Sequence, residues 1–287
     1  MKKHKLYVSC VLLIIFSLIG NILYYNAQQL DEPIVLEHYI EDRVYENQDV
    51  NMRFYYISNL NDNNKLLNVY FPKHDLTFYA QNGDAYDTTH YKANIAFLQA
   101  PYSLLNFDGN DEIILEDAVI TYSNGLTQNV DIGKLILTKG GNNDLKSTMS
   151  SASNSGQVSQ YYSLEDSITV NKVTSRLYDE TNDFVYMHFV DNDSSNITFP
   201  VENTNIHDKK EDKIFLAIDE LSLPHEASNS LEVFSYVKPE DEKRFNVYEM
   251  IYTLEYTYKD GKQGREDLLN LRYKPCFTNK LVSELVK

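Results

Sequence analysis

Ile113–Tyr122 (IILEDAVITY) and Leu126–Leu137 (LTQNVDIGKLIL) flank the dipeptide Asn124-Gly125. Two strand-like apolar runs joined by Asn-Gly are the strongest short-range signature of a β-hairpin. The spacing predicts a type I′ turn, whose two central residues both need φ > 0. A second run carries the same grammar. Tyr252–Tyr258 and Arg265–Tyr273 flank Asp260-Gly261, which predicts a second hairpin.

Working outward, most of the chain reads as short strands. Ile34–Ile40 is mixed apolar. Asp49–Ile57 alternates, with Met52, Phe54 and Tyr56 on one face and Asn51, Arg53 and Tyr55 on the other. The Asn-rich Ser58–Lys65 is a turn, Leu66–Phe71 resumes a strand, and Pro72 stops it. Leu76–Ala80 and Ala93–Gln99 are further strands. Tyr is abundant at 23 residues and Trp is absent, which favours strands whose tyrosines fill cores and cross-strand pairs.

Helical periodicity is confined to the ends. Leu6–Tyr25 carries no charge and follows Lys2, Lys3 and Lys5. About 20 such residues span roughly 30 Å of hydrocarbon. The positive-inside rule puts residues 1–5 in the cytoplasm as a basic tail and the bulk outside. A cleaved signal peptide would need a shorter apolar core and small residues before the cut; the tolerable site follows Ala27 and has Tyr25 at −3. A lipid-attachment cysteine would end the apolar core, whereas Cys10 lies near its start. The reading is therefore an uncleaved single-pass anchor over residues 6–25, with Tyr24 and Tyr25 in the interfacial aromatic belt. At the other end, Leu281, Val282, Leu285 and Val286 fall at helical spacing, which predicts either a short helix packed on the second domain or a frayed tail.

The second half answers the first. Arg43-Val-Tyr-Glu is matched by Arg176-Leu-Tyr-Asp, and Met52/Phe54/Tyr56 by Val185/Met187/Phe189. Phe71-Pro72 is matched by Phe199-Pro200, and Thr121–Gly125 by Thr257–Gly261; the offsets are 133, 128 and 136 residues. Order is kept and the drift is loop-sized, which points to an internal duplication. The expected fold is all-β: the helix, a polar tether at 26–33, an immunoglobulin-like antiparallel β-sandwich at 34–139, a flexible linker at 140–162, and a second sandwich at 163–287. The linker reading rests on the small, polar, aperiodic Lys139–Gln160. The Cys…Trp…Cys signature of true immunoglobulin domains is missing.

Charge and chemistry narrow the function by exclusion. Setting aside the three lysines of the first 30 residues, the formal −16 becomes −19 on the rest. Such a surface repels nucleic acid and anionic lipid alike. Cys10 lies in the anchor and Cys276 outside it, so no disulfide forms within the chain. No Gly-x-Ser-x-Gly occurs. The histidines at 4, 38, 74, 90, 188, 207 and 225 show no zinc spacing, and His188 reads as a solvated strand histidine. Asp108–Glu112 and Asp191–Asp193 hold oxygen donors, but neither fits the twelve-residue calcium loop, and turn chemistry explains both. No catalytic, cofactor or metal residue is named on this basis. The expectation is a non-enzymatic, membrane-anchored binding or accessory protein of a bacterial cell surface, with a membrane-protein or cell-envelope partner. The alternatives are a wall-acting hydrolase on a β-scaffold and a cation-binding surface module.

Overall fold

The computed structural model describes residues 2–107, 111–152, 156–190, 216–217 and 221–286. Its first element is α1 (Lys2–Ala27), within which Cys10–Ala27 is long and apolar enough to cross a membrane. None of that span is buried against the rest of the chain. The tether after it is pinned. The Asn59 side chain clamps Leu30, accepting from its N–H and donating to its C=O, each at 2.8 Å. Gln128 donates to Glu32 and to the Pro33 carbonyl.

Eight strands follow: β1 (Ile34–Val35), β2 (His38–Val44), β3 (Val50–Asn59), β4 (Leu66–Phe71), β5 (Leu76–Asp87), β6 (Tyr91–Ala100), β7 (Glu112–Tyr122) and β8 (Thr127–Lys139). Their order, β1-β3-β6-β5-β4-β7-β8-β2, wraps around one core containing Phe54, Tyr56, Phe78, Leu98, Ile120 and Leu135. β5 makes the corner. It starts paired with β4 and ends paired with β6, with a register break between Asn82 and Ala85. There the Asn82 side chain serves as a substitute ladder partner, bonding both the N–H and the C=O of Leu66. Two sheets joined at a corner and closed on one core make a sandwich.

The β7–β8 hairpin forms as expected, but its turn differs. Gly125 has φ +85 and Asn124 is not left-handed. The Gly125 N–H bonds the Tyr122 carbonyl, and Tyr122 N–H bonds Leu126. This is a type I turn closed by a glycine bulge, which needs one positive φ instead of two. The Tyr258–Lys262 turn repeats it bond for bond around Gly261, φ +87.

The segment read as a flexible linker contains strands. It forms β9 (Lys146–Ala152) and β10 (Gln157–Ser163), an antiparallel hairpin. Val158 and Tyr162 alternate into a core, a weak signal hidden among small polar residues. Two carboxylates hold the approach to it: Asp267 accepts from the Asn142 N–H and Glu266 from the Leu145 N–H, both at 2.9 Å.

The remaining elements are β11 (Ile168–Thr174), α2 (Tyr178–Thr181), β12 (Val185–Val190), β13 (Leu216–Ala217), β14 (His225–Ala227), β15 (Ser230–Val237), β16 (Val247–Met250), β17 (Thr253–Tyr258), β18 (Gln263–Asp267), β19 (Leu271–Tyr273) and α3 (Asn279–Leu285). A five-stranded sheet, β13-β12-β15-β10-β9, faces a four-stranded one, β14-β11-β17-β18. Tyr162, Met187, Val233, Leu254 and Tyr256 are buried in the core they share. The predicted second hairpin is realised as β17 with β18; Leu271–Tyr273 leaves for another sheet.

That departure joins the two halves. β16 pairs in parallel with β2, and β19 pairs with β16, so the first sheet gains two strands from the second half. β2 also runs parallel to β8, so the pairing is antiparallel except around β2. β2, which carries Arg43, and β11, which ends just before Arg176, are paired differently: β2 lies between β8 and β16, whereas β11 lies antiparallel between β14 and β17. Phe199-Pro200 lies outside the described residues.

Helix α3 bridges the halves: Val282 buries with Leu36, Tyr55, Ile57, Tyr91 and Ala93 of the first half and Val247 of the second, and Glu284 pairs with Arg244 of the second half at 2.7 Å. The reason is that the end of β3 is apolar on both faces, so Tyr55 and Ile57 need a cover of their own. Thr278 caps the helix, and Asn279 accepts from the Thr89 N–H at 2.7 Å.

One glycine tests the β2–β8 junction. Gly133 has φ +84, and a Cβ there would sit 2.7 Å from the His38 carbonyl oxygen. Backbone cannot swing away, so Gly133→Ala should cost about 3 kcal/mol by denaturant titration. Gly125→Ala, left-handed but in open space, should cost only about 1 kcal/mol. Equal costs would refute the close approach.

Candidate functional site

Where the two halves meet, a cleft of about 760 Å³ opens. One wall is the outer face of β3 and β6, where Arg53 lies opposite Phe97 and Tyr55 opposite Ile95. The floor carries Asp42 of β2, Glu249 of β16 and Arg272 of β19. Ala152, Val158 and Gln160 of the β9–β10 hairpin form the far side. The cleft exists because β16 and β19 extend the first sheet past its own sandwich.

Beneath it lies a buried ion cluster. Arg43 donates through Nε to Asp267 Oδ2 at 2.9 Å, reaches Glu41 Oε1 at 3.1 Å, and donates to the Thr138 hydroxyl. Arg176 closes the cluster from the second half, at 3.0 Å from the same Glu41 oxygen and 2.9 Å from Glu112. The two arginines that the repeat set in correspondence therefore meet on one carboxylate. Burial raises the Glu41 carboxyl above its usual range, against the pull of Arg43 and Arg176. Asp267 goes the other way. Burial alone would raise it, but hydrogen bonds from Thr253 and Asn142 and the Arg43 guanidinium outweigh that and hold it low. Next to it, burial pushes Glu266 up to about 7. The Tyr162 hydroxyl lies in its field without closing a well-formed hydrogen bond.

The cleft floor is electrostatically mixed. Burial, with the Glu249 carboxylate nearby, pushes Asp42 up to about 6. Glu249 takes Arg272 at 3.4 Å and Arg53 at 3.8 Å. Lys274 donates to the Tyr86 hydroxyl at 2.9 Å and stands over its ring. Among the described residues, the cleft lining includes no His, Ser, Thr or Cys.

Residues weighed from the sequence mostly lie elsewhere. His38 is buried and stacked on Phe54 at 4.5 Å; its Nε2 accepts the Tyr55 N–H, and burial drops it to about 3. His188 is half-buried on β12, its ring 6.5 Å from that of Phe234, and so is less solvated than expected. His74 meets the Ile114 carbonyl and His90 the ring of Tyr24. Cys276 is exposed and free, as is Cys10. Glu112 is spent on Arg176, while Asp108, Asp191–Asp193 and His207 lie outside the described residues. No cluster of three metal-capable side chains occurs among the described residues. Sequence reasoning did not single out Asp42, Arg53, Glu249 or Arg272. Alternation marks Arg53 as outward-facing, but the β16–β2 pairing that gathers the other three has no local signal.

No protein-family model and no curated protein matches the chain by sequence. Among solved structures, the fibronectin(III)-like modules of Clostridium thermocellum CbhA align at 9% identity and TM-score 0.23, over 87% of this chain and 96% of theirs. The S. aureus collagen adhesin aligns at 10% identity and TM-score 0.21, over 85% of this chain and 93% of that one. A pullulanase from an Anoxybacillus species aligns at 8% identity and TM-score 0.22, over 82% of this chain but only 27% of the enzyme. Fibronectin(III)-like modules, an adhesin and part of a pullulanase do not select a function between them.

Glu266 supplies a pH test. A carboxyl raised from 4.5 to about 7 means the folded state holds its proton more tightly than the unfolded chain. Its contribution is complete below the lower value and is lost as pH rises through the upper one. Urea titrations across that window should show the wild type losing more stability with rising pH than Glu266→Gln. Parallel curves for the two proteins would contradict the assignment.

Proposed function

We propose that the chain is a non-enzymatic binding module held at a bacterial cell surface. In this reading α1 spans the membrane with its basic tail inside, and residues beyond 33 stand outside as two β-sandwich units, 34–139 and 163–287. The cleft between the two cores is the binding site. The observation that carries it is the cleft's construction: aromatic and aliphatic walls, a floor of paired opposite charges, and a fixed frame, the usual make-up of a recognition groove. The ties of Tyr24 to His90 and Tyr25 to Asn61 at the end of α1, and of Leu30 to Asn59 just after it, support the anchored arrangement, because they set the first sandwich next to the helix end.

One observation favours a second reading, a wall-acting hydrolase. Asp42, pushed to about 6, lies in the field of Glu249, and glycoside cleavage uses two carboxylates of different proton affinity. Asp42→Asn and Glu249→Gln would each abolish turnover of a labelled wall polymer if that reading held. The binding reading expects no turnover from any of the three proteins.

A photo-crosslinking residue placed at Phe97 in living cells should give higher-mass adducts, while one at Leu67, exposed on β4 outside the cleft, should not. Equal labelling at both, or none at Phe97, would contradict a binding cleft. Recovery of the chain from the medium starting at Gln28 would contradict the anchor.

A further inference from the structure

The edge of β3 lies open beside the cleft. In an antiparallel strand, alternate residues turn their N–H and C=O to the same side. Tyr55 faces away from β6: its carbonyl accepts from the Leu36 N–H at 3.3 Å and its N–H donates to His38 Nε2 at 2.9 Å. Arg53 and Asn51, two and four residues back, share that direction. β1 covers β3 only at Tyr56 and Ile57. The main-chain groups of Asn51 and Arg53 therefore look outward with no strand beside them among the described residues, and both residues are exposed.

This edge lacks the usual protection. No Pro or Lys lies between Val50 and Ile57, and the β3–β6 register runs unbroken over ten residue pairs. Flat, unprotected edges invite an added strand. His38 shows how the ladder is read, since its side chain occupies the next donor along.

Charge identifies the occupant. The chain has six arginines, and Arg43, Arg53 and Arg272 line this cleft. Arg43 is consumed by Glu41 and Asp267. Arg53 and Arg272 are 46% and 54% exposed and share the single Glu249 carboxylate at 3.8 and 3.4 Å, too long for strong hydrogen bonds. Each guanidinium carries five donors, so most stay available. Guanidinium groups so placed on a strongly acidic chain select for carboxylates.

Resting on the reading of the cleft as a binding site, we propose that it takes an extended acidic segment of a partner protein. The segment adds as a strand to the Asn51–Arg53 edge and places its carboxylates against Arg53 and Arg272. A strand of five or six residues, about 17–20 Å, suits the exposed edge. A carboxylated polysaccharide would use the guanidiniums but not the ladder. A second copy of this chain would bring one heavily acidic body against another.

The test uses the full chain in a neutral-lipid nanodisc. The probe is an end-blocked peptide of alternating Glu and Val, about eight residues long. It should bind and protect the Asn51 and Arg53 amides from hydrogen exchange. N-methylation of alternate peptide nitrogens should weaken binding at least about tenfold, as should Arg272→Glu. Glu249→Gln, which frees both guanidiniums, should strengthen it. Equal binding of the N-methylated peptide or of its Lys counterpart, or binding of polygalacturonate with no amide protection, would overturn the proposal. Absence of peptide binding while the Phe97 adducts persist would sink the acidic strand and leave the binding module standing. Loss of both would end both.

Discussion

The parallel pairing of β2 with β16 is the constraint on which the rest depends. It takes a four-residue strand from the second half and sets it in the sheet of the first. β19 follows, the cleft floor forms, and the chain's end is brought back so that α3 can cover Tyr55 and Ile57. The Arg43 cluster locks this arrangement from beneath. Removing one member of a buried ion cluster strands the others and costs about 3–5 kcal/mol. Arg43 contacts Glu41 of its own strand and Asp267 of β18, so it ties the halves together at the point where the pairing brings them close.

A cleft built this way differs from one built on loops. Its walls are strands in two cores, and on its floor Glu249 pairs with Arg272 and Arg53. Asp42 and Glu249 share the floor with Arg272, and the mixture leaves donors free in an otherwise acidic molecule.

Much of the β-architecture was legible in the sequence, because alternation and turn residues are local signals. Leu66–Phe71 was read to the residue, and both Asx-Gly hairpins were placed. The turn type was missed because one positive φ suffices when a glycine bulge follows. The β9–β10 hairpin was read as a linker because its stability comes from Glu266 and Asp267, more than a hundred residues away, and from two apolar residues in a polar run. The contact of α3 with the first half was not legible because spacing shows that a helix has an apolar face, not every surface that needs its cover. Asp42, Glu249 and Arg272 remained invisible as a group, since each looks like an ordinary charged strand residue until a parallel pairing between distant strands sets them side by side.

Differential scanning calorimetry of the full chain tests the welding of the two cores most directly. If β2, β16 and the Arg43 cluster make them one body, unfolding is a single transition whose calorimetric and van't Hoff enthalpies agree. In Arg43→Met the transition splits in two as the halves uncouple. Two separate transitions in the unaltered protein, unchanged by Arg43→Met, would contradict the account.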